Sequence, residues 1–271
     1  MKTIRIISAA ILLTLMASCS SGSKKETKKV VEYNTPEFKA TIGGEGSKTS
    51  WNQGDDTGIF MVSESKKENN VRYTIAQGGK MTAAGTEITY PEGKADFKAY
   101  HPYKSEANKG LYNIDITDQK DLNALDLLYS DNAKGKSRKN KTVSLRYRHI
   151  LSCLTINIEK SQHIEGEVSF DVEAVTTATF DILKNKLTPE GQPRKLQFNN
   201  HSAIVIPGTI VKITAKAGKH KEVKEIKIQA DKKISQNIKI EGDDRDFTVN
   251  FGEAEIEDWT DGLEQEEDIN I

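Results

Sequence analysis

The chain is 271 residues long, 36% hydrophobic and 29% charged, with a formal net charge of −1. Lysines and acids alternate along it instead of gathering in one block, which excludes a polyanion-binding surface and nucleic acid as a partner. Its two cysteines cannot form the disulfide framework that staples small secreted domains.

Residues Met1 to Cys19 read MKTIRIISAAILLTLMASC. Lys2 and Arg5 precede an apolar run of about eleven residues from Ile6, too short to span a bilayer, which takes about 20. Followed by small Ala17 and Ser18, the run is an export signal. A cysteine directly after two small residues resembles the lipobox of bacterial lipoproteins, in which the thiol is acylated and the leader removed. Cys19 is therefore the expected lipidation site. Met16 departs from the usual leucine, with Leu15 one step early, and an ordinary secretory signal with an incidental cysteine is the alternative. Several acyl chains grip a membrane far more firmly than one, so the mature protein should begin on a membrane surface. From Ser20 to Lys29, SSGSKKETKK offers nothing to bury and reads as a solvated tether reaching roughly 17 Å.

The first predicted strand is Glu37 to Ile42, with Phe38, Ala40 and Ile42 on one face. The connector that follows, Gly43 to Trp51, reads GGEGSKTSW. A phosphate-binding loop needs a glycine immediately before the lysine and a strand leading into a helix; Ser47 stands in the glycine's place, so this is a flexible glycine-rich link. Further strands are expected at Gly58–Val62, Val71–Ile75, Glu87–Tyr90, Ala95–Tyr100, Tyr112–Ile116 and around Leu125–Tyr129. Leu122, Leu125 and Leu128 also fit helical spacing, which allows one short helix.

Lys141 to Glu159 is the joint of the chain. Val143, Leu145 and Tyr147 alternate with Arg146 and Arg148; after a break in phase Leu154, Ile156 and Ile158 alternate with Thr155 and Asn157. These are two half-buried strands meeting near His149 and Ile150. The second half continues with Val168–Val172, Ala178–Leu183, Leu196–Phe198, Ala203–Ile206, Val211–Ala215, Ile226–Ile228, Ile234–Ile240 and Phe247–Phe251. About seven strands per half, with turn signals every 8 to 15 residues or so, indicate an all-β chain of two sandwiches, residues 30–149 and 150–271.

Catalytic and metal-binding patterns are missing. Histidines 101, 149, 163, 201 and 220 show neither an HExxH motif nor a companion cysteine spacing. Cys153 has no partner base in sequence context and is expected to pack or to lie on the surface. The acid-rich stretches Glu241–Asp246 and Asp258–Asp268 lack the alternation and central glycine of a calcium loop and read as solvated turns. No catalytic residue, cofactor or metal is expected.

Six stretches in order resemble the fimbrillin-like family of surface lipoproteins from Bacteroides-type bacteria. They are Trp51–Asp55 leading to Gly58-Ile-Phe60, Tyr90-Pro91 before Asp96–Tyr103, Asp126–Ser130, Val143–Ile158, Ile204–Pro207 and Ile256–Trp259. The resemblance implies two tandem transthyretin-like Greek-key β-sandwiches and export as an outer-membrane lipoprotein exposed at the cell surface. It further implies service as a pilus subunit, anchor or tip adhesin that joins other fimbrillin-like subunits by donor-strand exchange. Stalk members of the family are cut by an arginine-specific protease after the first strand. This chain has no arginine between Arg5 and Arg72, and Lys48 is the one basic residue in that connector, so Lys48 is the candidate processing site.

Trp51, His149 and Trp259 are expected to pack in cores or between the halves. The alternative function is a glycan-binding surface lipoprotein, for which Tyr100, His101 and Tyr103 are the candidate contacts and Trp259 a candidate platform. An enzymatic alternative would need two carboxylates facing each other across a cleft.

Overall fold

Nearly every alternating run becomes a strand in the computed structural model, which describes residues 31–43, 50–161, 168–242 and 247–259. Cys19, the tether, Lys48, His163, residues 243–246 and the acidic tail from 260 lie outside the described residues. The first half forms β1 (Glu37–Ile42), β2 (Asp55–Val62), β3 (Lys67–Ile75), β4 (Met81–Ala83), β5 (Ala95–His101), β6 (Leu111–Asp115), β7 (Leu128–Lys136) and β8 (Thr142–His149). After it come β9 (Ser152–Lys160), β10 (Val168–Ala174), β11 (Thr177–Asp181), β12 (Lys186–Glu190), β13 (Arg194–Lys195) and β14 (Ser202–Val205). The last four are β15 (Ile210–Ala217), β16 (His220–Lys227), β17 (Lys232–Gly242) and β18 (Phe247–Asp258).

Seven strands of the first half make one sheet in the order β1-β8-β7-β5-β2-β3-β4. Its outer strands meet through an antiparallel bridge between Lys39 and Lys80, so the sheet curls into a nearly closed barrel. The barrel interior holds Phe38, Ile59, Met61, Ile75, Phe97 and Leu145. In the second half, the sheets β13-β10-β15-β16 and β14-β9-β17-β18 share a core that includes Leu154, Ile156, Val172, Ile213 and Ile238.

A third sheet, β12-β11-β6, draws β6 from the first half and its other strands from the second. Beneath it a third core combines Phe60, Tyr100 and Tyr129 with Tyr112, Phe180, Ile204 and Trp259. This explains why β2 contains the unbroken apolar run Ile59-Phe60-Met61. Ile59 and Met61 point into the barrel and Phe60 into the third core, and a strand buried on both faces has no polar side to alternate with.

Two expected strands are absent. Ile88 and Tyr90 are buried, yet the Ile88 N–H donates to the Tyr73 hydroxyl at 3.0 Å and the Tyr90 N–H to the Asn34 carbonyl at 2.8 Å. Glu87–Tyr90 is therefore a loop that buries two side chains, leaves Glu87 and Thr89 exposed and has no ladder of its own. Leu196–Phe198 likewise buries Leu196 without joining a sheet. Conversely β4, β12 and β13 were not expected, being short or, in β12, interrupted by Pro189, a residue that sheets tolerate at an edge. The short helix exists as α1 (Leu122–Leu125), capped by the Asp121 carboxylate, which accepts from the Asn123 and Ala124 N–H groups. Leu128 belongs to β7 instead.

Candidate functional site

The first strand has a distinctive seat. β1 runs parallel to β8 in a register from Glu37 opposite Thr142 to Ile42 opposite Tyr147. On its other side the contact with the β4 end is one bridge, in which the Ala40 N–H donates to the Gly79 carbonyl at 2.7 Å. Gly79 has φ +84°, and a Cβ there would overlap the Ala40 carbonyl oxygen, so the closure requires glycine on two counts. Inward, Phe38 is 3% exposed and meets the rings of Tyr73 and Phe97 edge-on, each at 5.2 Å. Lys39 and Thr41 face solvent. β1 thus fills a slot in the barrel with two buried side chains, Phe38 and Ala40.

Both described ends of the connector after β1 converge on Tyr147. The Gly43 N–H donates to its carbonyl at 3.2 Å, and the Trp51 ring stands edge-on to its ring at 5.0 Å. Tyr147 is itself fixed by a 2.7 Å hydrogen bond between its hydroxyl and Thr57 Oγ1.

The aromatic and histidine candidates are structural. Trp51 is 7% exposed and also packs edge-on against His101 at 5.3 Å. Tyr100 is fully buried, donating to Asn70 Oδ1 at 2.7 Å, and His101 Nδ1 lies 2.8 Å from the Asp56 carbonyl. Neither can serve the surface platform considered for a glycan. Tyr103 alone of that trio is partly exposed, and the Arg72 guanidinium covers its ring at 5.5 Å. Trp259 is fully buried, which removes it as a platform; its ring stacks on His149 at 4.1 Å and 2°. His149 Nδ1 lies 2.9 Å from Asp126 Oδ1, both side chains being fully enclosed. Asp126, at the end of α1, stands in one of the six stretches that carry the resemblance, but its pairing with His149 was not legible, because an Asp before two leucines carries no sign of a partner 23 residues away.

Nothing among the described residues groups three or more His, Cys, Asp or Glu side chains as a metal site. Cys153 packs against the third core, and burial pushes its thiol up to about 11, which keeps it protonated and a poor nucleophile at neutral pH.

Comparison with known proteins agrees with this picture. A sequence model of the family described as Fimbrillin-like matches residues 39–259. A protein of Bacteroides uniformis proposed as fimbrium subunit Fim1C is 28% identical over 179 residues, covering 59% of this chain and 56% of that protein. The alignment thus spans little more than half of that relative. Among solved structures, a proposed cell adhesion protein of Bacteroides uniformis superposes with a TM-score of 0.64 at 23% identity, covering 83% of this chain and 98% of its own. A second, from Bacteroides ovatus, gives 0.61 at 14% identity, covering 84% and 98%. A fimbrial protein of Bacteroides vulgatus gives 0.53 at 13%, covering 83% and 99%. These likenesses establish a shared fold, and the match across residues 39–259 establishes that the chain belongs to the fimbrillin-like family.

Proposed function

We propose that the protein is a non-catalytic structural and adhesive subunit of the cell surface, held in the outer membrane by lipid on Cys19. In this reading residues 30–149 and 150–271 are tandem transthyretin-like sandwiches, and other fimbrillin-like subunits are its partners through strand exchange. The observation that carries it is the seat of β1, one continuous ladder on one side and one bridge on the other. Withdrawing such a strand exposes a row of unpaired N–H and C=O groups along β8 beside the apolar slot of Phe38. A strand from another subunit with the same alternation satisfies both.

Release requires a cut in the connector, and Lys48 is the residue a trypsin-like protease can use. Without that cut the chain serves as a permanently lipidated anchor or accessory subunit. Mature masses from wild-type and Lys48→Ala cells separate the two roles. A species beginning at Thr49 in the wild type alone supports release of β1, whereas one lipidated species in both removes strand release at this loop. An unmodified Cys19 in the N-terminal peptide would overturn the membrane anchor.

A further inference from the structure

Two clefts of about 370 and 450 Å³ adjoin where the loop before α1 meets the turn before β14, and Lys120, Asn199 and Asn200 line both. The first also takes in Leu122 and Asn123, the second Gln197 and Phe198. Each cleft thus sets a half-buried apolar side chain, Leu122 or Phe198, beside exposed primary amides. The same composition twice in succession suits a chain of like units.

Charge is balanced in both clefts. Each holds one cation, Lys120, and one carboxylate, that of Asp121 in the first and Asp118 in the second. Lys120 Nζ lies 3.1 Å from Asp118 Oδ2, and the Asp121 carboxylate accepts from the Asn123 and Ala124 N–H groups. What remains are the amides of Asn123, Gln197 and Asn200, each with both donors and an acceptor. A hydroxyl also donates and accepts, so these amides match a ligand rich in hydroxyl groups, whereas an anion calls for donors alone. Leu122 and Phe198 give the C–H face of a sugar ring something apolar to rest on.

The walls are loops, yet they are tied to the sheet. Gln119 is 2% exposed; its amide donates to the Ile116 and Ile204 carbonyls at 2.7 and 3.1 Å and accepts from the Ile204 N–H at 2.8 Å. Asn199 Nδ2 donates to the Lys120 carbonyl at 2.8 Å, which joins the two walls. Asn199 and Ser202 exchange backbone hydrogen bonds of 2.9 Å, and between them Asn200 and His201 turn through φ +46° and +66°. A site held in shape beforehand loses little binding energy to ordering. We propose that the two clefts bind a neutral oligosaccharide, one sugar unit in each, with Asn123 contacting the first unit and Gln197 the second. β1 contributes to neither cleft, so binding neither requires nor excludes strand release.

NMR of the side-chain amides tests this during titration with oligosaccharides of glucose, galactose, mannose and N-acetylglucosamine, with oligogalacturonate as the acidic control. At least one neutral series should shift the amide signals of Asn123, Gln197 and Asn200 together, and salt should not weaken it, because screening acts on charges. Asn123→Ala and Gln197→Ala remove exposed side chains and should each weaken binding about three- to tenfold with an unchanged thermal midpoint. No shift with any neutral series overturns the proposal, as does binding that both variants leave intact. Tighter binding of oligogalacturonate, lost in high salt, overturns it in favour of an anion held by Lys120.

Discussion

The first and last strands of the protein are fixed by different means. β1 has six register pairs, all parallel, on β8 and a single bridge on its other flank. β18 has ten register pairs, all antiparallel, on β17 and is followed at once by the fully buried Trp259. Parallel ladders are slightly weaker per residue, so β1 depends on what its side chains bury, chiefly Phe38, whereas β18 depends on its ladder and its terminal anchor. A strand held by a slot can be replaced by any strand with the same alternation. A strand held by an extended ladder and an anchor cannot leave without opening the third core.

Trp259→Ala breaks the anchor and should cost the most, roughly 3–5 kcal/mol in urea denaturation, the usual range for emptying a large aromatic site. Its effect should be global, because the ring belongs to the core that both halves share. Phe38→Ala belongs near the lower end of that ~3–5 kcal/mol range, since β1 can detach and let the slot relax. Limited proteolysis near β1 should then precede global unfolding. Gly79→Ala sharpens the contrast by attacking only the barrel closure. Strain at φ +84° should cost about 1–3 kcal/mol and accelerate exchange of the Ala40 amide while leaving β17 unchanged.

The smallest effect concerns charge in the second half. Asp171 lies 2.6 Å from both Lys195 and Lys216, and hydrogen bonds to Lys195 and then Lys216, with their charges, push its carboxyl down to about 2. Its folded value is below the unfolded ~3.9, so its contribution is present above pH ~4 and is lost as pH falls through the folded value. Asp171→Asn should flatten that acid limb of the stability curve and leave the exchange of β1 unaltered.

The alternating strands were legible because period-2 burial on one face writes itself into the sequence. Val143, Leu145 and Tyr147 are all fully buried, as their spacing requires. Ile88 and Tyr90 misled for a physical reason: burial of alternate residues does not prove a ladder when the backbone bonds go to a tyrosine hydroxyl and a distant loop. The parallel pairings of β1 with β8 and of β9 with β17 were not legible, since partners separated by about a hundred residues or by 80 leave no local trace. The role of Gly79 in accepting from Ala40 was hidden likewise, because a Gly-Gly pair signals a turn and says nothing of what approaches it. Trp51, His149 and Trp259, which the sequence leads one to expect as packing residues, are all buried.

Native-state hydrogen exchange under increasing denaturant, comparing Ala40 in β1 with Ile238 in β17, is the direct test of whether β1 is the exchangeable strand. The Ala40 amide should open sub-globally, at a free energy clearly below that of Ile238, which should exchange only with complete unfolding. Equal opening free energies for the two amides would mean that β1 is as firmly integrated as the strands of the second half, and would contradict its standing as the exchangeable element.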